Sequence, residues 1–258
     1  MRLYTFNISH FAEKARWALD RTGIRYEERV LVPGPHIPTI RRLRQGRTSV
    51  PALVDEGHAI QGSSRIIDYI DERYLEPQHR LTPAEPELHE KAHDLERWLD
   101  AEIGETVRRF FYQHALPHRE LVGGLFIQRG PWWAKMFYGL AYPKIARAIR
   151  GMYDINEMTA AADAERLRVA FGRLDEMLAR GPYLLGDRFT RADLTLAALT
   201  APIWRPSEHP TRWPANSLYP DSLLRWMDEL SRFRIRDHAL RIYREHRRAT
   251  ARAAPAAA

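Results

Sequence analysis

Cysteine is missing altogether from this sequence of 258 residues. The absence excludes disulfides, a protein thiol nucleophile and thiolate metal sites, so any sulfur chemistry must come from a ligand. Long apolar runs are also missing. No stretch approaches the roughly 20 residues that a bilayer-crossing helix requires, and the opening MRLYTF turns polar too soon for a secretory leader. A cytoplasmic location is the expectation. The formal charge of +7 points to no nucleic-acid partner, because no zinc-finger, RNP-type or heptad pattern accompanies it. Most of that charge sits in one place. From Arg232 onward eight arginines face only Asp237 and Glu245, which reads as a solvated, frayed terminal helix ending in AAPAAA.

Residues 1–76 alternate strand and helix signals. RLYTF is a short apolar run, and Phe11, Ala15, Ala18 and Leu19 then recur with helical spacing up to Gly23. YEERVLV reads as a second strand, and Pro33, Gly34, Pro35 and Pro38 read as a loop. VPALVDEGHAI reads as two strands about a turn at Asp55–Gly57. SSRIIDYIDERY then places Ile66, Ile67, Ile70 and Tyr74 on one helical face. The order β-α-β-loop-β-β-α predicts a small mixed sheet with helices packed on it, an α/β domain. Prolines crowd residues 75–87, so 77–87 is the expected linker. Beyond it the spacing of Leu95, Trp98, Leu99 and Ile103, and of Leu167, Phe171, Leu174 and Leu178, predicts an all-helical domain over 88–258.

Chemistry concentrates at the first strand-to-helix junction, NISHFAEKARWAL. A helix N-terminus at the end of a sheet offers free N–H groups and partial positive charge, and Ser9 stands there. Its hydroxyl can cap the helix or donate a hydrogen bond to a bound thiolate. A free thiol has a pKa near ~8.5, and lowering it by about two units takes only ~2.7 kcal/mol of preferential anion stabilisation. Val50-Pro51 opens a predicted strand, where a cis peptide would present the Val50 backbone to an extended peptide ligand. A second strand-to-helix junction at Ser63 and Ser64 suits a carboxylate.

With these stretches together, the first 76 residues resemble the thioredoxin-like domain of cytosolic glutathione transferases: the strand, S-x-F-x-x-K-x-R-x-x-L, VPAL, and a serine opening SSRIIDYIDERY. YLLGDRFTRADLTLAAL, residues 183–199, is similar to the family's GD-x-[FY]-[ST]-x-A-D signature, in which Thr190 and Asp193 form a capping box. The resemblance implies a thioredoxin-like domain followed by an all-helical one, with glutathione as co-substrate and no metal. It implies that Ser9 stabilises the glutathione thiolate, as in serine-type members, and Thr5 falls where tyrosine-type members keep their tyrosine. Val50 would hold the cysteinyl backbone, Pro51 would be the cis-proline, and Ser63 would bind the γ-glutamyl carboxylate. Gly62 replaces the usual acidic or amide residue, leaving Gln61 or Ser64 to meet the γ-glutamyl ammonium group, and Arg47 or Thr48 to meet the glycyl end. A homodimer is implied as well.

Two further stretches carry competing readings. HEKAH at 89–93 satisfies H-E-x-x-H, but Glu96 and Leu99 stand where the extended zinc-protease pattern needs Gly and a third His, so a polar helix face is the simpler expectation. Residues 121–153 interleave Phe126, Trp132, Trp133, Tyr138 and Tyr153 with arginines and lysines. That composition suits core packing, an apolar ligand pocket or an interfacial membrane helix. The family's electrophile pocket draws on this region, so the resemblance implies a pocket of His10, Phe11, Trp132, Trp133 and Tyr138. The alternative to an enzyme is a non-catalytic relative that binds ligands or partners, peripheral to a membrane through 121–153.

Overall fold

The computed structural model describes residues 1–247. Four strands, β1 (Arg2–Thr5), β2 (Glu27–Val30), β3 (Ala52–Asp55) and β4 (His58–Gln61), form one sheet in the order β2-β1-β3-β4. β1 runs parallel to β2 and antiparallel to β3, and β3 pairs antiparallel with β4 about the turn at Glu56 and Gly57. This is the mixed sheet the sequence predicts. Leu3 opposes Leu53, and Leu53 opposes Ile60, so one face of the sheet is apolar along its middle. Helices α1 (His10–Arg21) and α3 (Ser63–Tyr74) cover that face with Trp17, Leu19, Ile66, Ile67 and Ile70. On the other face Tyr4 and Ala52 meet Ile40 of a short helix, α2 (His36–Arg41). The sequence reads this segment as loop. Pro38 sits in the first turn, where a missing N–H breaks no helical bond, so the helix forms despite it.

The helical region follows with α4 (Pro86–Leu99), α5 (Glu105–Ala115), α6 (Arg119–Ile127), α7 (Ala134–Met152), α8 (Glu157–Leu178), α9 (Arg191–Trp204), α10 (Asp221–Leu230) and α11 (Arg234–His246). α4 runs into α5 through one π-type turn at Asp100–Gly104. α9 is buried from Arg191 to Ile203 and starts at the expected capping box: Thr190 Oγ1 accepts from the Ala192 N–H, and Asp193 accepts from the Thr190 N–H at 3.0 Å. Asp193 also accepts the Leu184 N–H at 2.8 Å, tying the GD turn to the helix it precedes.

α1 is sandwiched between the sheet's other helix and α9, and every residue from Ala12 to Asp20 is buried. Its charged side chains therefore have to meet opposite charge inside the protein. Lys14 reaches Asp100 at 2.6 Å and Glu96 at 2.7 Å. Arg16 donates to Glu28 at 2.5 Å, while Glu13 and Asp20 receive Arg247 at 2.7 and 2.6 Å. This last contact corrects the reading of the arginine-rich C-terminus as a frayed, solvated helix. α11 buries Ile235, Ala239, Ile242 and Tyr243, and the His246 carbonyl accepts from Trp17 Nε1 at 3.1 Å. Arg248, Arg252 and the terminal alanines lie outside the described residues.

Burial drives the His209 imidazole down to a pKa of about 4, with Arg16 and Arg247 adding to that effect against the opposing pull of Glu13. Burial likewise lowers His10 to about 3, helped by Arg108 and Lys14. Both are neutral in the fold but titrate near ~6.5 when unfolded, so the unfolded chain binds more protons between these limits. Their contribution to stability is complete above about pH 6.5 and declines as pH falls, by up to about 1.4 kcal/mol per pH unit for each histidine. Urea unfolding between pH 7 and pH 5 should show this decline, and His209→Gln should make its slope shallower. A flat profile over that range would contradict the assignment.

Candidate active site

The turn from β1 into α1 presents Ser9. Its φ of −66° and ψ of 111° are extended, its C=O accepts the first helical bond from the Glu13 N–H at 2.9 Å, and its Oγ accepts from the Ala12 N–H at 3.2 Å. The hydroxyl thus caps α1 as an acceptor and retains its own proton for donation. Two networks hold this turn. Arg16 donates to the Phe6 and Asn7 carbonyls at 2.9 and 3.3 Å while anchored to Glu28, which also accepts from Thr5 at 2.9 Å and Arg129 at 2.5 Å. Asn7 Nδ2 donates to the Leu125 carbonyl at 2.7 Å, and the Asn7 carbonyl accepts from Thr211 at 3.1 Å. Thr5 is fully buried against Glu28, facing away from the site.

Ser9 lines a cavity of about 340 Å³ between the two domains, together with Val50, His10 and Phe11. Val50-Pro51 is cis. Among the described residues neither the N–H nor the C=O of Val50 is bonded within the chain, so both are open to a ligand. The Pro51 carbonyl accepts from the Gly62 N–H at 3.0 Å, bringing the start of α3 beside it. Gly62 has φ of 100°, a left-handed conformation that a side chain would strain, and it aims the chain into α3 at Ser63. The Ser63 hydroxyl makes no hydrogen bond within the described residues. A second, wider recess of about 720 Å³ adjoins at Thr48 and Ser49, walled by Arg41, Arg44 and Arg47.

Other expected site residues are placed differently. Gln61 turns inward and donates to the Arg47 and Ser49 carbonyls at 3.2 and 2.5 Å, bracing the loop before Val50 rather than reaching a ligand. The Ser64 hydroxyl donates to Glu96 at 3.0 Å and Asp100 at 3.3 Å. Burial pushes the Glu96 carboxyl up, but Lys14 and Arg191 outweigh it and hold Glu96 below the usual carboxylate range. Ser64 is therefore a member of an interdomain charge network. Trp132 is 86% exposed and lies outside the cavity lining. Trp133 packs on the helical core, and Tyr138 is buried behind Phe126, with ring centroids 5.7 Å apart. Only Phe126 and Tyr153 of the aromatic stretch reach the cavity, joined by Arg108, Phe111 and Tyr112 of α5. The sequence carries a faint signal for these: Arg108 and Tyr112 are spaced i, i+4 beside the apolar pair Val107 and Phe111.

His89 and His93 of HEKAH have ring centroids 4.7 Å apart, but His93 Nε2 is engaged by Arg191 at 3.1 Å and is half-buried. Among the described residues no group of three or more His, Asp or Glu is arranged to hold a metal ion. Nor is any described helix long and apolar enough to cross a membrane.

His10 lines the same cavity as Ser9, with one ring nitrogen engaged by the main chain. Its Nε2 lies 2.9 Å from the Gly104 carbonyl, so that nitrogen carries the hydrogen and donates. The π-type turn brings Gly104 against Phe11. A Cβ on Gly104 would stand 2.7 Å from Phe11 Cζ and 3.0 Å from Leu199 Cδ2. Gly104→Ala should cost about 1–3 kcal/mol in a urea titration, and adding Phe11→Leu should recover most of that loss. A double variant no more stable than Gly104→Ala would remove the Phe11 contact as the cause.

Comparison with known proteins agrees with this architecture. A family profile described as "Glutathione S-transferase, N-terminal domain" matches residues 3–78, and one described as "Glutathione S-transferase, C-terminal domain" matches residues 134–230. No curated protein matches the sequence. Among solved structures, the beta-etherase LigF from Sphingobium sp. strain SYK-6 superposes with a TM-score of 0.60 at 17% identity, covering 93% of this chain and 98% of that one. A glutathione S-transferase from Rhodospirillum rubrum F11 gives 0.59 at 19% identity, with 94% and 90% covered. Gtt2 from Saccharomyces cerevisiae gives 0.58 at 20% identity, with 93% and 100% covered. At these identities the likeness speaks for the fold, and the two domain matches, in chain order on one polypeptide, speak for descent: the chain belongs to the cytosolic glutathione transferase family.

Proposed function

We propose that the protein is a serine-type glutathione transferase that activates the thiol of glutathione for attack on an apolar electrophile. The observation that carries this reading is the Ser9 hydroxyl, which caps α1 as an acceptor and keeps a proton to donate at the wall of an interdomain cavity. A thiolate there would receive that hydrogen bond beside the partial positive charge of the α1 N-terminus. The thiol proton leaves to solvent, the sulfur forms a bond to the electrophilic carbon, and the leaving group departs with its electron pair. His10 takes no part as a base, because burial, with Arg108 and Lys14 nearby, holds its imidazole down at a pKa of about 3.

Glutathione would lie along the first domain. The open main-chain groups of Val50 suit its cysteinyl backbone, and the free Ser63 hydroxyl at the start of α3 suits its γ-glutamyl carboxylate. Gly62 offers no side chain to the γ-glutamyl ammonium group, and Gln61 is occupied in the loop. These two features support a second reading, a glutathione-family protein that binds without catalysis. Dimerisation is proposed on family grounds alone.

One assay separates the readings. With glutathione and a general aromatic electrophile, Ser9→Ala should lower kcat/KM by about 10- to 100-fold and return the bound thiol toward its free pKa of ~8.5. A conjugation rate indifferent to Ser9→Ala would refute the serine role. No glutathione-dependent rate in the unaltered protein would favour binding alone.

A further inference from the structure

The cavity beside Ser9 is lined mainly by apolar and aromatic groups, and Arg108 is the one Arg, Lys, Asp or Glu in its lining. No Asp or Glu lines it, and burial holds both of its histidines, His10 and His36, below their ordinary pKa and so neutral. Arg108 is the sole formal charge on the cavity wall among the described residues. Elsewhere in the protein, inward-facing guanidinium groups meet carboxylates: Arg16 meets Glu28, Arg109 meets Asp163, Arg191 meets Glu96, and Arg247 meets Glu13. Arg108 meets none among the described residues, and its buried Nε has no hydrogen-bond partner.

Aromatic faces hold it in place. The Arg108 guanidinium carbon lies 4.1 Å from the Tyr153 ring centroid and 5.6 Å from that of Phe11. Stacking of this kind fixes the plane of the guanidinium while leaving its N–H edges available in that plane. An unpaired cation beside apolar walls is costly unless something anionic completes it. The planar fork matches a carboxylate, which can accept two parallel N–H bonds.

We propose that Arg108 selects electrophiles carrying a carboxylate, so that the second substrate is an apolar acid. This deepens the transferase reading and rests on it. The carboxylate would sit against α5 and its N–H fork, the apolar body would lie among Phe111, Tyr112 and Ile149, and the electrophilic carbon would face the sulfur near Ser9. Arg108 is a specificity-determining residue in this scheme and takes no part in moving the proton.

The test compares 4-(chloromethyl)benzoate with 4-methylbenzyl chloride, each of which would give a thioether and chloride. The carboxylate should be preferred in kcat/KM by about 10- to 100-fold, the range expected of a charge-assisted bidentate contact. In Arg108→Met the preference should fall to near unity, and Arg108→Lys should retain part of it. Calorimetry with biphenyl-4-carboxylate and biphenyl-4-carboxamide supplies a readout that needs no turnover: the acid should bind at least about 10-fold more tightly, and Arg108→Met should abolish the difference. Equal treatment of acid and neutral ligands in both experiments, or a preference surviving in Arg108→Met, overturns the proposal. If neither chloride reacts with glutathione, the transferase reading falls and the binding ratio decides the matter of Arg108 by itself.

Discussion

The rest of the site depends on α1 being buried on every side. A helix in that position has no solvent for Glu13, Lys14, Arg16 or Asp20, so each must find a fixed partner, and the partners come from distant parts of the chain. Lys14 is tied to Glu96 and Asp100 at the end of α4, Arg16 to Glu28 at β2, and Glu13 and Asp20 to Arg247 after α11. Each bond constrains the helix about its axis and along it. Ser9 is the N-cap of that helix, so its hydroxyl inherits the constraint.

The same networks join the domains. Arg191 at the start of α9 reaches Glu96, Asp68 and Thr82, linking the capped core helix of the second domain to α3 and α4. Asn7 bridges the turn between β1 and α1 to Leu125 of α6 and to Thr211. Polar contacts thus tie the two domains together, and the cavity between them is lined mainly by apolar groups. Against that background Arg108 stands out, since it is a cation seated on aromatic rings, whereas the buried Arg16, Arg191 and Arg247 each meet a carboxylate.

Much of this was legible residue by residue. Periodicity located the sheet strands and the amphipathic helices, and the spacing of Thr190 and Asp193 marked the start of α9. The strand-to-helix junction singled out Ser9. What local pattern failed to separate was the use made of similar side chains. Trp132, Trp133, Tyr138 and Tyr153 look alike in sequence, yet they end on the surface, on the core, behind the cavity and in its wall. Ser63 and Ser64 are neighbours of one type, and the helical rotation of 100° between them leaves the first unbonded and gives the second to Glu96.

The sequence by itself determined the order of elements, the caps that start α1 and α9, and the absence of any sulfhydryl, because these follow from short-range sterics, hydrogen bonding and composition. Tertiary structure alone decided that Lys14, Arg16 and Arg247 face inward, that Gln61 braces a loop, and that Arg108 overlooks a cavity. The physical reason is that a charged side chain takes its direction from the field and packing of residues up to 234 positions away, which local spacing does not encode.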